Sequence, residues 1–91
     1  MDSISDIEEV CDNLKAFLIE KNKRYGDSAL NPIRVFSHAS NIAQITTRID
    51  DKLSRIKNSD ELRKNDAVDL AGYIILLCIA NNWMDFKEFL D

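Results

Sequence analysis

Apolar side chains first fall into a regular pattern at Ile7, Val10, Cys11, Leu14, Phe17 and Leu18, whose spacing of 3, 1, 3, 3 and 1 marks one face of a helix. Ser5 with Glu8 three residues later forms a capping-box pair that predicts its start. The helix should run to Lys23 or Tyr25, because Lys21, Lys23 and Arg24 suit the negative end of its dipole and Gly26 can take the left-handed conformation that ends it. After a loop over 27–30, Asn31-Pro32 reads as a cap followed by proline at the first helical position. That pair predicts a short helix through Ile33, Val35 and Phe36, ending near His38.

A second long helix is predicted from Ser40 or Asn41, where Ile42, Ile45, Ile49, Leu53 and Ile56 are spaced by 3, 4, 4 and 3. This narrow seam resembles that of packed antiparallel helices, with strongly charged faces on either side. Residues 57–65 are polar and read as a loop or as the first exposed turns of the next helix. From about Asp66 to Asn81 or Asn82 the chain is apolar around almost the whole helical circumference. Trp83, Phe86, Phe89 and Leu90 then suggest a short terminal helix that lays aromatic rings over the bundle.

With 45% hydrophobic residues, two Gly and one Pro in 91 positions, the composition favours helices over many short strands. The expectation is an all-α single domain, 1–91, built as a small helical bundle of three main helices with short helices near 32–38 and 83–90. A chain of this size buries only roughly 60 to 65% of the surface its unfolded form exposes. Its apolar run offers more surface than one neighbouring helix covers, so completion of the core by homo-oligomerisation is expected. The run over 67–80 is interrupted by Asp69 and falls short of the ~20 apolar residues of a membrane span. The acidic, polar start from Met1 to Asp6 does not suit a secretory or transit peptide, which points to the cytoplasm. A net charge of −4 argues against general DNA or RNA binding, which needs a broad excess of Lys and Arg. Cys11 and Cys78 lack the spacing of a zinc or redox motif and read as buried, reduced thiols.

The charged residues then stand out by position. Asp66 and Asp69 are three apart, so on a helix both carboxylates leave one face at about 5 to 6 Å, close enough to share a divalent cation. The competing role for Asp66 is a helix cap; Asp69, flanked by Val68, Leu70 and Ala71, demands a cationic neighbour. Gly72 costs a helix about 1 kcal/mol relative to Ala and so marks a close approach by another backbone or a ligand. On the preceding helix, Arg48, Asp51, Lys52 and Arg55 share adjoining polar faces, either as a solvated surface or as a site in which Arg and Lys hold phosphate oxygens. Lys21, Lys23, Arg24, Tyr25, Gly26, Asp27 and Ser28 make a basic turn with a ring and a hydroxyl, suited to gripping phosphate and stacking a base. It lacks the glycine spacing of a Walker loop. His38 is the only histidine, which excludes a histidine-rich metal site within one chain and leaves it a surface role.

Taken in order, Lys21-Asn22-Lys23-Arg24-Tyr25-Gly26-Asp27-Ser28, Asn31-Pro32, Phe36-Ser37, Arg48 to Ile56 and Asp69-Leu70-Ala71-Gly72-Tyr73 resemble the nucleotide-modification-associated domain 1 family over about residues 8–80. That resemblance implies a phage or prophage setting and a phosphate-bearing nucleotide ligand. The residues expected to hold such a nucleotide are Lys23, Arg24, Tyr25, Asp27, Asn31, Arg34, Arg48, Lys52, Arg55 and Tyr73. A weaker similarity is to the all-α nucleoside triphosphate pyrophosphohydrolases of the MazG type, which implies Mg2+ held by Asp50, Asp51, Asp66 and Asp69, although Ser54 stands where that family's first motif has a third acid. Two functions are thus expected to compete. One is magnesium-dependent hydrolysis of a nucleotide; the other is non-catalytic binding by an oligomer that sequesters a nucleotide signal of host defence.

Overall fold

The computed structural model describes residues 2–90. Three α-helices follow one another, α1 (Ser3–Arg24), α2 (Asn41–Lys57) and α3 (Lys64–Ala80), with a single 3-10 turn at Lys87–Phe89 and no strand among the described residues. The chain is a small all-α helical bundle, as its periodicity predicts.

The helix ends follow local chemistry. Asp2, ahead of the Ser5–Glu8 pair, caps α1 by accepting from the Ile4 N–H at 3.1 Å. Gly26 follows α1 with φ of +61°, and Asp27 continues the left-handed turn at +59°. Ser40 caps α2 through an Oγ that accepts from the Ala43 N–H at 3.1 Å. Helix α3 starts at Lys64, two residues ahead of the expected Asp66, and no side chain caps it. Asp66 therefore sits in the first turn of α3, where a carboxylate meets the positive end of the dipole.

Two expected elements differ. Residues 31–40 form no helix: Arg34 takes φ of +58°, and its guanidinium hydrogen-bonds the Ala39 carbonyl and the Asn41 side chain. Asn41 in turn donates to the Leu30 carbonyl, so side-chain bonds fix this loop in place of a helical ladder. The C-terminal aromatics do not cover the bundle; Trp83, Phe86 and Phe89 are exposed.

Helices α2 and α3, joined by a six-residue connection, pack together as a helical hairpin and make the main contact of the fold. Helix α1 touches α3 over a shorter stretch, where Leu18 lies against Gly72. The fully covered apolar core is correspondingly slight, with Ile45 and Leu76 its buried members. Cys11 is exposed and Cys78 half-buried, both free, so the expected burial of Cys11 is not met. Among the described residues no helix is long and apolar enough to cross a membrane.

Candidate functional site

Asp69 receives cations from two helices. Lys52 of α2 places its Nζ 2.9 Å from Asp69 Oδ2 and 3.7 Å from Asp66 Oδ1. Lys21 of α1 donates to Asp69 Oδ1 at 3.3 Å. The Lys52 and Asp66 side chains are only 11% and 6% exposed, and Asp69 is 20% exposed. Lys52 reaches this position because it continues the stripe of buried and half-buried residues Ile45, Ile49, Lys52, Ile56, at spacings of 4, 3 and 4, rather than the solvent face suggested by its charged neighbours. Leu53, which the sequence pattern puts in the seam, is exposed instead.

The electrostatic consequence is direct. Burial pushes the Asp69 carboxyl up, but the Lys52 ammonium and the charge of Lys21 outweigh it and hold the group below the ordinary carboxylate range. Every fully buried side-chain nitrogen or oxygen among the described residues has a partner.

An open cleft of about 230 Å3 lies beside this network. Phe17, Lys21, Asn22, Tyr25 and Ser28 line it from α1 and the turn that follows, Arg48 from α2, and Asp69, Gly72 and Tyr73 from α3. Lys21 also sits over the Phe17 ring, 5.3 Å from its centroid. Gly72 of α3 lies against Leu18 of α1: a Cβ there would meet Leu18 Cδ1 at 3.4 Å.

Of the residues assigned to a nucleotide from sequence, Tyr25, Arg48 and Tyr73 line this cleft, and Lys52 stands behind Asp69. Asp27 and Asn31 shape the adjoining turn: Asn22 donates to Asp27 Oδ1 at 3.1 Å and Asn31 to Oδ2, which holds Tyr25 and Ser28 at the rim. The others lie elsewhere. Lys23 lines a separate apolar groove, Arg24 pairs with Glu20 at 3.1 Å on the surface, Arg34 is bound into the 31–40 loop, and Arg55 is exposed. Lys21 and Phe17 were absent from that assignment; the signal for both was their place on the α1 face shared with Leu14 and Leu18.

The four acids assigned to Mg2+ divide into two pairs. Asp66 and Asp69 converge on the Lys52 ammonium, whereas Asp50 and Asp51 are exposed on α2. Among the described residues no three His, Cys, Asp or Glu side chains are grouped to hold a metal. The donor set, with a lysine ammonium shared by Asp66 and Asp69, does not fit a magnesium cradle as it stands.

Comparison with known proteins adds no further constraint: no family model, curated protein or solved structure matches the chain.

Proposed function

We propose that the cleft beside Asp69 binds a phosphate-bearing nucleotide without catalysing its hydrolysis, in a homo-oligomer acting in the cytoplasm. The observation that carries this reading is the meeting of Lys21 and Arg48, from two helices, with Tyr25 and Tyr73 around one open cleft. Two cations and two rings lining one cleft suit a ligand with an anionic group and a planar group. Lys21, Lys52 and Arg48 outnumber Asp66 and Asp69, so the local charge favours an anion. Lys21 is the movable member: its side chain is 40% exposed and its 3.3 Å contact to Asp69 can be shared with an incoming phosphate oxygen.

The Lys52 ammonium favours binding over magnesium-dependent hydrolysis, since it already neutralises the acids that hydrolysis would assign to the metal. The resemblance to the nucleotide-modification-associated domain supplies the rest of the reading. In a phage-infected cell, such a protein would sequester a nucleotide signal of host defence.

A thermal-shift panel of linear and cyclic nucleotides, run with and without chelator, tests this. The expected result is stabilisation by at least one phosphate-bearing nucleotide, unchanged by chelator and lost in Arg48→Ala. A flat response to every nucleotide, or release of pyrophosphate from a triphosphate, contradicts it.

A further inference from the structure

The surface of the single chain is far larger than its mass calls for. It exposes 7492 Å2, where a compact monomer of 10.4 kDa exposes about 5400 Å2. Its radius of gyration is 15.0 Å, against about 12 Å for a compact chain of this length. The excess of about 2100 Å2 is what one partner contributes to a large obligate dimer interface.

Much of this surface belongs to α1. Ile4, Ile7 and Val10 are 70%, 62% and 65% exposed, and Cys11 is exposed beside them. A helix of that half's length has little stability alone in water, so the projecting turns need a covering partner. Their pattern says which kind. Ile4, Ile7, Cys11, Leu14 and Leu18 follow spacings of 3, 4, 3 and 4, the seam of a two-helix coiled coil. Beside that seam runs an apolar groove of about 450 Å3, formed by Cys11, Leu14 and Leu18 of α1 with Ile75 and Ile79 of α3.

Charge fixes the direction. Between residues 2 and 12 the chain carries Asp2, Asp6, Glu8, Glu9 and Asp12 and no base; between 15 and 24 it carries Lys15, Lys21, Lys23 and Arg24 against Glu20 alone. A parallel pair would set acid beside acid, whereas an antiparallel pair sets the acidic half of each helix on the basic half of the other.

We infer that the occupant of this groove is α1 of a second copy of the chain, packed antiparallel about a two-fold axis between Cys11 and Leu14. In that register Ile7 meets Leu18 of the partner subunit and Cys11 meets Leu14 of the partner subunit. Val10 lies beside Phe17 of the partner subunit on one flank, and Glu8 faces Lys15 of the partner subunit on the other. The interface thus extends to the Phe17 edge of the cleft. This inference specifies the homo-oligomer of the proposed function and is independent of its ligand.

The experiment is sedimentation equilibrium on the full chain, without nucleotide, so its outcome does not depend on ligand binding. The wild-type protein should have a mass of twice 10.4 kDa or an even multiple of it. Ile7→Asp, at a position 62% exposed in the single chain, should weaken association by about a hundredfold or more while far-ultraviolet circular dichroism still reports α2 and α3. Glu8→Lys and Lys15→Glu should each weaken association, and the double variant should restore it. A monomer at all concentrations, a dimer indifferent to Ile7→Asp, or failure of the charge swap to restore association would overturn the inference.

Discussion

The Nζ of Lys52 lies 2.9 Å from Oδ2 of Asp69, so an acid on the most apolar helix of the chain is held by a lysine buried in the helix before it. Asp66 shares the same ammonium at 3.7 Å, and Lys21 adds a second cation to Asp69 from α1. All three helices are thereby tied to one carboxylate at the edge of the cleft.

Lys52→Met removes the charge that two nearly buried acids share. It should destabilise the protein by about 3 kcal/mol, because nearly buried Asp66 loses its cation and Asp69 keeps only the partly exposed Lys21. Replacing all three groups together, as Lys52→Met with Asp66→Leu and Asp69→Leu, should recover most of that loss. Urea unfolding followed by circular dichroism measures both, and equal destabilisation in the single and triple variants would show that the ion network is not the cause.

The Asp69 carboxyl sits below its ordinary value of 3.8 because Lys52 and Lys21 outweigh its burial. A depressed folded-state value means that its contribution to stability is fully present above the unfolded value and is lost as pH falls through the folded one. Stability should therefore be insensitive to this group from neutrality down to about pH 5, then decline below pH 4. In Asp69→Asn that acid-side decline should be shallower. Thermal melts of the two proteins across pH 2.5 to 7 compare them; identical acid-side slopes would remove Asp69 from the account.

Much of this arrangement was legible in the chain. The α1 face, the Ile42–Ile56 seam and the apolar run after Asp66 gave the three helices, and the demand of Asp69 for a cation was visible from its apolar neighbours. The partner was not, because Lys52 stands among Arg48, Asp51 and Arg55 and looks like one more exposed charge until α2 is rotated to turn Ile45 and Ile49 inward. The Asn31-Pro32 signal misled for a similar reason: local propensity favours a helix, but Arg34 and Asn41 bind the backbone into a loop. By sequence Lys21 belongs to the basic turn, while its position one turn beyond Phe17 and Leu18 carries it to the cleft.

Gly72 makes a narrower prediction. An added Cβ would meet only the tip of Leu18 at 3.4 Å, so Gly72→Ala should be tolerated and, by restricting the unfolded chain and favouring the helix, should raise stability by up to about 1 kcal/mol. Gly72→Leu should instead push α1 off α3, widen the cleft and lower nucleotide affinity. Destabilisation by alanine, read from denaturant midpoints, would mean that the helices lie closer in solution.

The turn after α1 depends on Asp27, which accepts from both Asn22 and Asn31 while its backbone is left-handed at φ of +59°. Asp27→Gly keeps the backbone accessible and removes the acceptors; Asp27→Ala removes the acceptors and adds strain of about 1 kcal/mol. Both should loosen the Tyr25–Asn31 turn and weaken ligand binding, alanine more than glycine in stability. Amide hydrogen exchange over residues 25–31 reads the loosening directly, and unchanged protection would show that Asp27 does not order the turn.

The cleft between Lys21 and Arg48 is proposed to bind an anionic nucleotide without a metal. Isothermal titration in chelator tests it most directly, using the best nucleotide of the thermal-shift panel and its unphosphorylated nucleoside on the wild-type protein and on Lys21→Ala with Arg48→Ala. A cation-lined site should show saturable binding of the nucleotide, at least about tenfold weaker binding of the nucleoside, and loss of the difference between them in the double variant. Binding that requires added magnesium, or that survives removal of both cations, would contradict it.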